Sequence, residues 1–360
     1  MNYTQRKELI VDLERIRGSK ILSYILSDRE TFPPNVPGFG GLQLANEPQL
    51  HIIDQLRAIG KSDKLDLFLY TRGGDTNSVW PLINVLREYC TKLTIIIPFR
   101  AHSAGTLMCL GADEVIMTEI AELSPIDPTT TNAFNPKEES NSKVPKGISV
   151  EDVTAYFKLA RDRGGIISEA ERLEVFKELT RRIDPLALGN VERVYMQIRQ
   201  LAHRLLSLHI DEKREAQKFL KIIEALTEKF YSHLHVITRA EAIELMGEWV
   251  KAPSEGESAL ISTLFNSYAE TFNLRTKFSL PDYMTDDPIR ELKILGGLIE
   301  SRSLSHAYVT AMNVIQRPNL PTNVQIQLQP GTPIPLSPVF GRAYDFTIQR
   351  AGWELNAEEA

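Results

Sequence analysis

Three short apolar runs each break off into a turn rich in glycine, serine or proline. LDLFLY (65–70) runs into TRGGDT and a helical stretch from about Asn77 to Cys90. LTIIIP (93–98) runs into FRAHSAG and a short helix to about Leu110, and EVIMT (114–118) runs into ELSPIDP. Apolar runs of this length suit strands buried on both faces. Strand, helix, strand, helix, strand at this spacing predicts an α/β fold: a parallel sheet with crossover helices. Such a sheet delivers the turns that follow its strands to one edge, so residues far apart in sequence meet there.

Around this centre the chain reads as helical. Residues 4–26 carry apolar positions at Leu9, Ile10, Leu13, Ile16, Ile21 and Leu22 and predict one helix. FPPNVPGFGG (32–41) predicts a loop and 47–59 an amphipathic helix. The stretch 128–150 is polar and aperiodic and predicts a mobile loop. A helical segment follows over 150–231, with helices expected at about 150–162, 168–181, 190–209 and 211–231. Thr238, with Glu241 three residues on, predicts a capping box, and Gly247 the helix stop. The polar break KAPSEGES (251–258) sets a boundary between a domain of 1–250 and a C-terminal region of 251–360. In that region a helix at 258–272 and strands at HAYVTAMNVI and VQIQLQ predict a small α+β extension of unassigned role.

Composition narrows the function classes. The 360 residues are 42% apolar and 24% charged, a mix that builds a sizeable core in a soluble protein. The net charge of −6 argues against a dedicated nucleic-acid binder. The two cysteines, Cys90 and Cys109, lie in apolar stretches, which fits a reducing compartment and excludes a cysteine zinc site. MNYTQRKELIVDLERIRGS lacks the apolar stretch of a secretory signal, and no apolar run approaches the roughly 20 residues of a membrane span. A cytoplasmic location, with no membrane span, is the expectation.

Chemistry is expected at the three turns. Gly73 and Gly74 let the chain turn tightly and offer backbone N–H groups to a negative oxygen; a ligand-free strand-to-helix turn is the plain alternative. Ser103, in His102-Ser103-Ala104-Gly105-Thr106, sits where a strand-to-helix turn presents a hydroxyl, with the N–H of Ala104 next to it. A plain helix-capping serine is the alternative there. Asp127, held between Pro125 and Pro128 in SPIDP, falls on the same edge or is an ordinary turn aspartate. The other histidines suggest no chemistry: His203 and His209 lie on a long helix, and His51 and His306 read as isolated surface or cap residues. No spacing suggests a metal, and no cofactor is expected.

LYTRGGDT, RAHSAGTLMCLGADEVIM and LSPIDPT, in this order, resemble the Clp-fold serine peptidases, and most closely the serine dehydrogenase proteinase (SDH) family related to signal peptide peptidase A. The resemblance spans roughly 5–250. It implies a ClpP/crotonase-like fold and a serine endopeptidase acting on peptides or unfolded proteins, assembled as a homo-oligomer. It implies a nucleophile at Ser103, oxyanion donors at Gly74 and Ala104 beside Gly73, and a triad completed by Asp127 and His233 of YSHLHVI. The imidazole pKa near 6.5 suits a base at neutral pH, with a carboxylate to orient it. Arg72 and His102 depart from the family pattern. A serine–lysine dyad using Lys143, Lys146 or Lys158 stays open as the alternative, as does an inactive Clp-fold binding subunit. Ser103 argues against the crotonase-type acyl-CoA enzymes, which need no serine nucleophile.

Overall fold

The computed structural model describes residues 2–29, 42–126, 129–137, 144–230, 235–285, 287–318 and 342–356. The chain divides into two compact units. One combines Met1–Gln43, Glu47–Gly60 and Ala259–Ala360; the other holds Leu44–Asn46 and Lys61–Ser258. The second unit ends at Ser258, and, unlike the expected division into 1–250 and 251–360, the first sixty residues group largely with the last hundred.

The first unit opens with α1 (Tyr3–Arg17), β1 (Lys20–Leu26) and α2 (Gln49–Ile59). The single helix expected over 4–26 is therefore a helix and a strand. Gly18 ends the helix in the left-handed conformation, φ +59°. Beyond it, KILSYIL is buried on both faces from Ile21 to Leu26, which suits a strand rather than a helix with one apolar stripe.

In the second unit come β2 (Ser62–Tyr70), α3 (Val79–Arg87), β3 (Cys90–Ile97), β4 (Arg100–Ala101), α4 (Ala104–Cys109), β5 (Glu114–Met117), β6 (Glu122–Leu123), β7 (Thr129–Thr130) and β8 (Ile148–Ser149). Next are α5 (Val150–Asp162), α6 (Glu169–Arg182), α7 (Pro185–Leu206), α8 (Glu212–Glu224), β9 (Ile237–Thr238), α9 (Arg239–Met246) and β10 (Val250–Lys251). Its main sheet runs β10-β5-β3-β2 and is parallel throughout, with Phe68 opposite Ile96, Ile97 opposite Met117 and Val250 opposite Val115. This is the crossover sheet the apolar runs predict, in a mixed α/β fold. Thr238 caps α9 with Glu241 in a capping box, as the sequence predicts.

The described part of the stretch expected as a mobile loop is ordered. β7 pairs with β8, and the Asn135 amide donates to the carbonyls of Thr130 and Lys146, both at 2.9 Å. One buried asparagine thus ties the two sides of this arm together.

The chain returns to the first unit through α10 (Glu255–Thr271), then α11 (Leu280–Met284), β11 (Ile289–Glu300), β12 (Ser305–Pro318) and β13 (Arg342–Leu355). β1, β11, β12 and β13 pair in that order, all antiparallel. The strand read at HAYVTAMNVI lies in β12; β11 and β13 were not read, and VQIQLQ lies outside the described residues. The Arg6 guanidinium grips the Glu300 carboxylate at 2.8 and 2.7 Å, both groups buried. Tyr268 Oη and Ser305 Oγ each donate to Glu300 at 2.9 Å. Every lone pair of that carboxylate has work, which is the condition for a buried charge to be tolerated.

Candidate active site

Two turns close on each other at the carboxyl edge of the parallel sheet. Thr71 N–H donates to Arg100 O (3.0 Å) and His102 N–H to Thr71 O (3.1 Å), so the turns after β2 and β4 run side by side. Gly73 has φ +100°. A Cβ there would stand 2.8 Å from both Ser103 Cβ and His102 O, and 3.3 Å from Ala104 N. Only a residue without a side chain permits this approach.

Ser103 is the strained point. Its φ of +49° with ψ −111° is a conformation that L-residues with side chains avoid. Holding it costs about 1–3 kcal/mol, which the surrounding bonds must supply. Ser103 N–H donates to Ser124 Oγ at 2.8 Å, and Leu107 N–H caps Ser103 O at 3.0 Å. Thr106 Oγ1 lies 2.8 Å from Ala101 O and 2.9 Å from Ser124 O, and accepts from Ser124 N–H at 3.1 Å. Ser124 and Thr106 are thus the frame of the elbow. Sequence reasoning missed both, although each lay inside a motif it singled out.

The N–H groups at the turns differ. That of Gly73 is taken by Thr71 Oγ1 at 2.9 Å. Leu44 bonds to Gly73 O and Asp75 N, both at 2.8 Å, which leaves the Gly74 N–H outside that ladder. Ala104 opens a helix, where the first N–H has no intrahelical acceptor. Among the described residues neither the Gly74 nor the Ala104 N–H has a hydrogen-bond partner.

Asp127, His233 and Lys143 lie outside the described residues. Two contacts tie segments flanking Asp127 and His233 to the strand that leads into Ser124. Ile126 N–H donates to Leu226 O at 2.8 Å, and Ile237 of β9 pairs with Leu123 of β6, one residue before Ser124. Lys146 sits in the β7–β8 arm, its N–H bonded to Pro136 O at 2.6 Å, and Lys158 is on α5.

The remaining histidines have specific places. His102 Nε2 lies 3.3 Å from Glu122 Oε1, which also accepts from Arg100 Nε at 2.5 Å. His235 stacks on Phe230 and contacts Glu241 of the α9 capping box at 3.2 Å. His203 pairs with Glu212 at 2.9 Å. His209 lies beyond the end of α7, packed edge-on against Trp249 with Nε2 2.9 Å from Leu110 O; burial lowers its pKa. His51 and His306 are not the isolated residues expected. Their ring centroids are 4.9 Å apart, and Asp54 joins them, in the first unit rather than at the strand-end turns. The pattern was invisible because its halves are over 250 positions apart.

A family model described as ClpP-like SDH-type serine proteinase matches residues 1–153, a span that includes both turns and the whole Ser103 frame. The chain is 30% identical over 130 residues to the uncharacterized protein MJ1495 of Methanocaldococcus jannaschii, covering 36% of this chain and 44% of that one. It is 28% identical over 123 residues to MJ0137 of the same organism, covering 34% and 42%. The match therefore spans less than half the length of either relative. Among solved structures, the membrane-bound stomatin-specific protease 1510-N is similar in two mutant forms. The serine-to-alanine form gives a TM-score of 0.33 at 12% identity, covering 62% of this chain and 74% of that one. The lysine-to-alanine form, in complex with a substrate peptide, gives 0.34 at 13%, covering 60% and 75%. Among the described residues no helix is long and apolar enough to cross a membrane.

Proposed function

We propose that the protein is a serine endopeptidase that cleaves peptides or unfolded chains through an acyl-enzyme on Ser103. The observation that carries this reading is the strained Ser103, pressed against Gly73, with N–H groups at Gly74 and Ala104 on the two turns that have no partner among the described residues. A positive φ at a strand-to-helix turn is how a nucleophilic serine is lifted clear of its helix. Ser103 Oγ attacks the scissile carbonyl while a base removes its proton. The carbonyl oxygen takes up the negative charge, and the Gly74 and Ala104 N–H groups bind it as it forms. Protonation of the amine releases the first product, and water then hydrolyses the ester.

The base in this proposal is His233, oriented by Asp127. Leu123 pairing with Ile237, and Ile126 bonding to Leu226, support it, because both tether the chain next to these residues to the Ser124 frame. A homo-oligomer with a cytoplasmic location belongs to the same reading. Hydrolysis of a fluorogenic peptide tests it. Ser103→Ala and His233→Ala should each lower kcat by about 10⁴- to 10⁶-fold and Asp127→Asn by somewhat less. Lys146→Ala and Lys158→Ala should change it by less than about tenfold. A lysine variant, Lys143→Ala included, that abolishes turnover while His233→Ala keeps it would replace the triad with a serine–lysine dyad.

A further inference from the structure

We propose that His51, Asp54 and His306 form a binding site for one divalent transition-metal ion of the class that imidazole and carboxylate take together: zinc, cobalt or nickel. One ligand atom from each of the three lies within 4.8 Å of the others. His51 and Asp54 are three residues apart on α2, so they share a helix face. His306, near the start of β12, meets them from the strand side, and all three belong to the same compact unit.

The state of His306 suits a ligand. Gln55, fully buried, donates its amide to the carbonyls of Ile299 (2.8 Å) and Leu304 (3.0 Å), and the same nitrogen lies 3.1 Å from His306 Nδ1. Two hydrogens serve three acceptors, so Nδ1 is under-satisfied. An imidazole nitrogen whose lone pair is left without a hydrogen is what a metal binds.

The other two groups are placed to close on an ion. His51 is half-buried and has no hydrogen-bond partner among the described residues, and Asp54 is exposed. Asp54 has one competing contact, Arg57 at 3.7 Å, between two largely exposed side chains, where pairing is weak. Bonds of about 2.0–2.1 Å to a tetrahedral ion put ligand atoms about 3.4 Å apart. Closure from 4.8 Å is a side-chain rotation at the two accessible residues, with the buried His306 as the fixed point. Three protein ligands leave at least one position for water. The ion would clamp α2 to β12, two elements that sequence alone leaves unlinked.

The probe is cobalt(II), added to the full-length chain without a polyhistidine tag after chelator treatment. Equilibrium dialysis should give one cobalt per chain, with visible d–d absorption that an equivalent of zinc abolishes. His51→Ala and Asp54→Asn, both folded by circular dichroism, should each weaken binding at least tenfold, while Ser103→Ala leaves it unchanged. No stoichiometric cobalt at about 0.1 mM free ion, or binding unaltered in both the His51 and Asp54 variants, overturns the site. Peptidase activity enters none of these readouts, so the outcome stands apart from the proposed function.

Discussion

In the unit holding Lys61–Ser258 the main strands are parallel and two to nine residues long, and the chain beyond their carboxyl ends is strained. In the unit holding Ala259–Ala360 the last three strands are antiparallel, of 12, 14 and 14 residues, and its buried ion pair is fully engaged. One region keeps Ser103 at positive φ where two turns meet, with Gly74 and Ala104 N–H groups that have no partner among the described residues; the other, where Asn273 and Thr285 also have positive φ, gives the Glu300 carboxylate three donor side chains. Unsatisfied donors and backbone strain each cost stability, and it is their coincidence at one pair of turns, rather than either alone, that supports a ligand or transition-state site at Ser103. In the proposed reading the chemistry belongs to the parallel region, while the antiparallel one carries the buried ion pair and the proposed metal site.

Substitutions break this contrast in opposite ways. The largest effect is expected from Gly73→Ala. Its methyl would lie 2.8 Å from Ser103 Cβ and from His102 O, so the two turns must separate. Peptide turnover should fall by about 10²- to 10³-fold, the range for losing an oxyanion donor, with the parallel sheet retained by circular dichroism. Next comes Arg6→Met, which leaves Glu300 buried without its cation. Urea denaturation should show a loss of about 3–5 kcal/mol, while kcat of the folded variant in the proposed peptidase reaction stays within a few-fold of the parent. A large kcat loss in Arg6→Met would merge the two roles that the comparison separates.

Smaller effects sharpen it. Ser124→Ala removes the acceptor for the Ser103 N–H and should cost about 1–3 kcal/mol, seen in urea melts, with a fall in kcat that exceeds any rise in KM. The smallest concerns pH. Burial opposes ionisation of Glu114, yet Lys92 and Lys251 hold its carboxyl down to about 2 from an ordinary 4.5, linking β3, β5 and β10. A depressed carboxyl contributes stability above its unfolded pKa and loses it as pH falls through the folded one. Stability of this sheet should therefore decline between about pH 4.5 and 2, and Glu114→Gln should flatten that decline. The part-exposed lysines make the effect modest.

The same contrast explains what the sequence made legible. LDLFLY, LTIIIP and EVIM could be read because a parallel buried strand is a continuous apolar run and its motif follows at once. Thr238 and Gly247 could be read because a capping box is local. The strand KILSYIL was hidden behind a helix of similar apolar content, and only Gly18 marked the break. β11 and β13 were missed: their pattern is set by strand partners and by mixed burial rather than by a clean period. Ser124 and Thr106 were visible as motif letters, but their task, bracing a strained backbone, exists only once two turns meet. His51, Asp54 and His306 gave no signal, because no spacing rule links an α2 helix face to β12.

The central claim is that the elbow is built to make Ser103 a nucleophile, and fluorophosphonate labelling tests it most directly. Peptide mapping by mass spectrometry after treatment of the folded chain should place a single adduct on Ser103, with labelling lost in Ser103→Ala and sharply slowed in Gly73→Ala. An adduct on another serine, or an unlabelled Ser103 in a chain that hydrolyses peptides, would contradict the account.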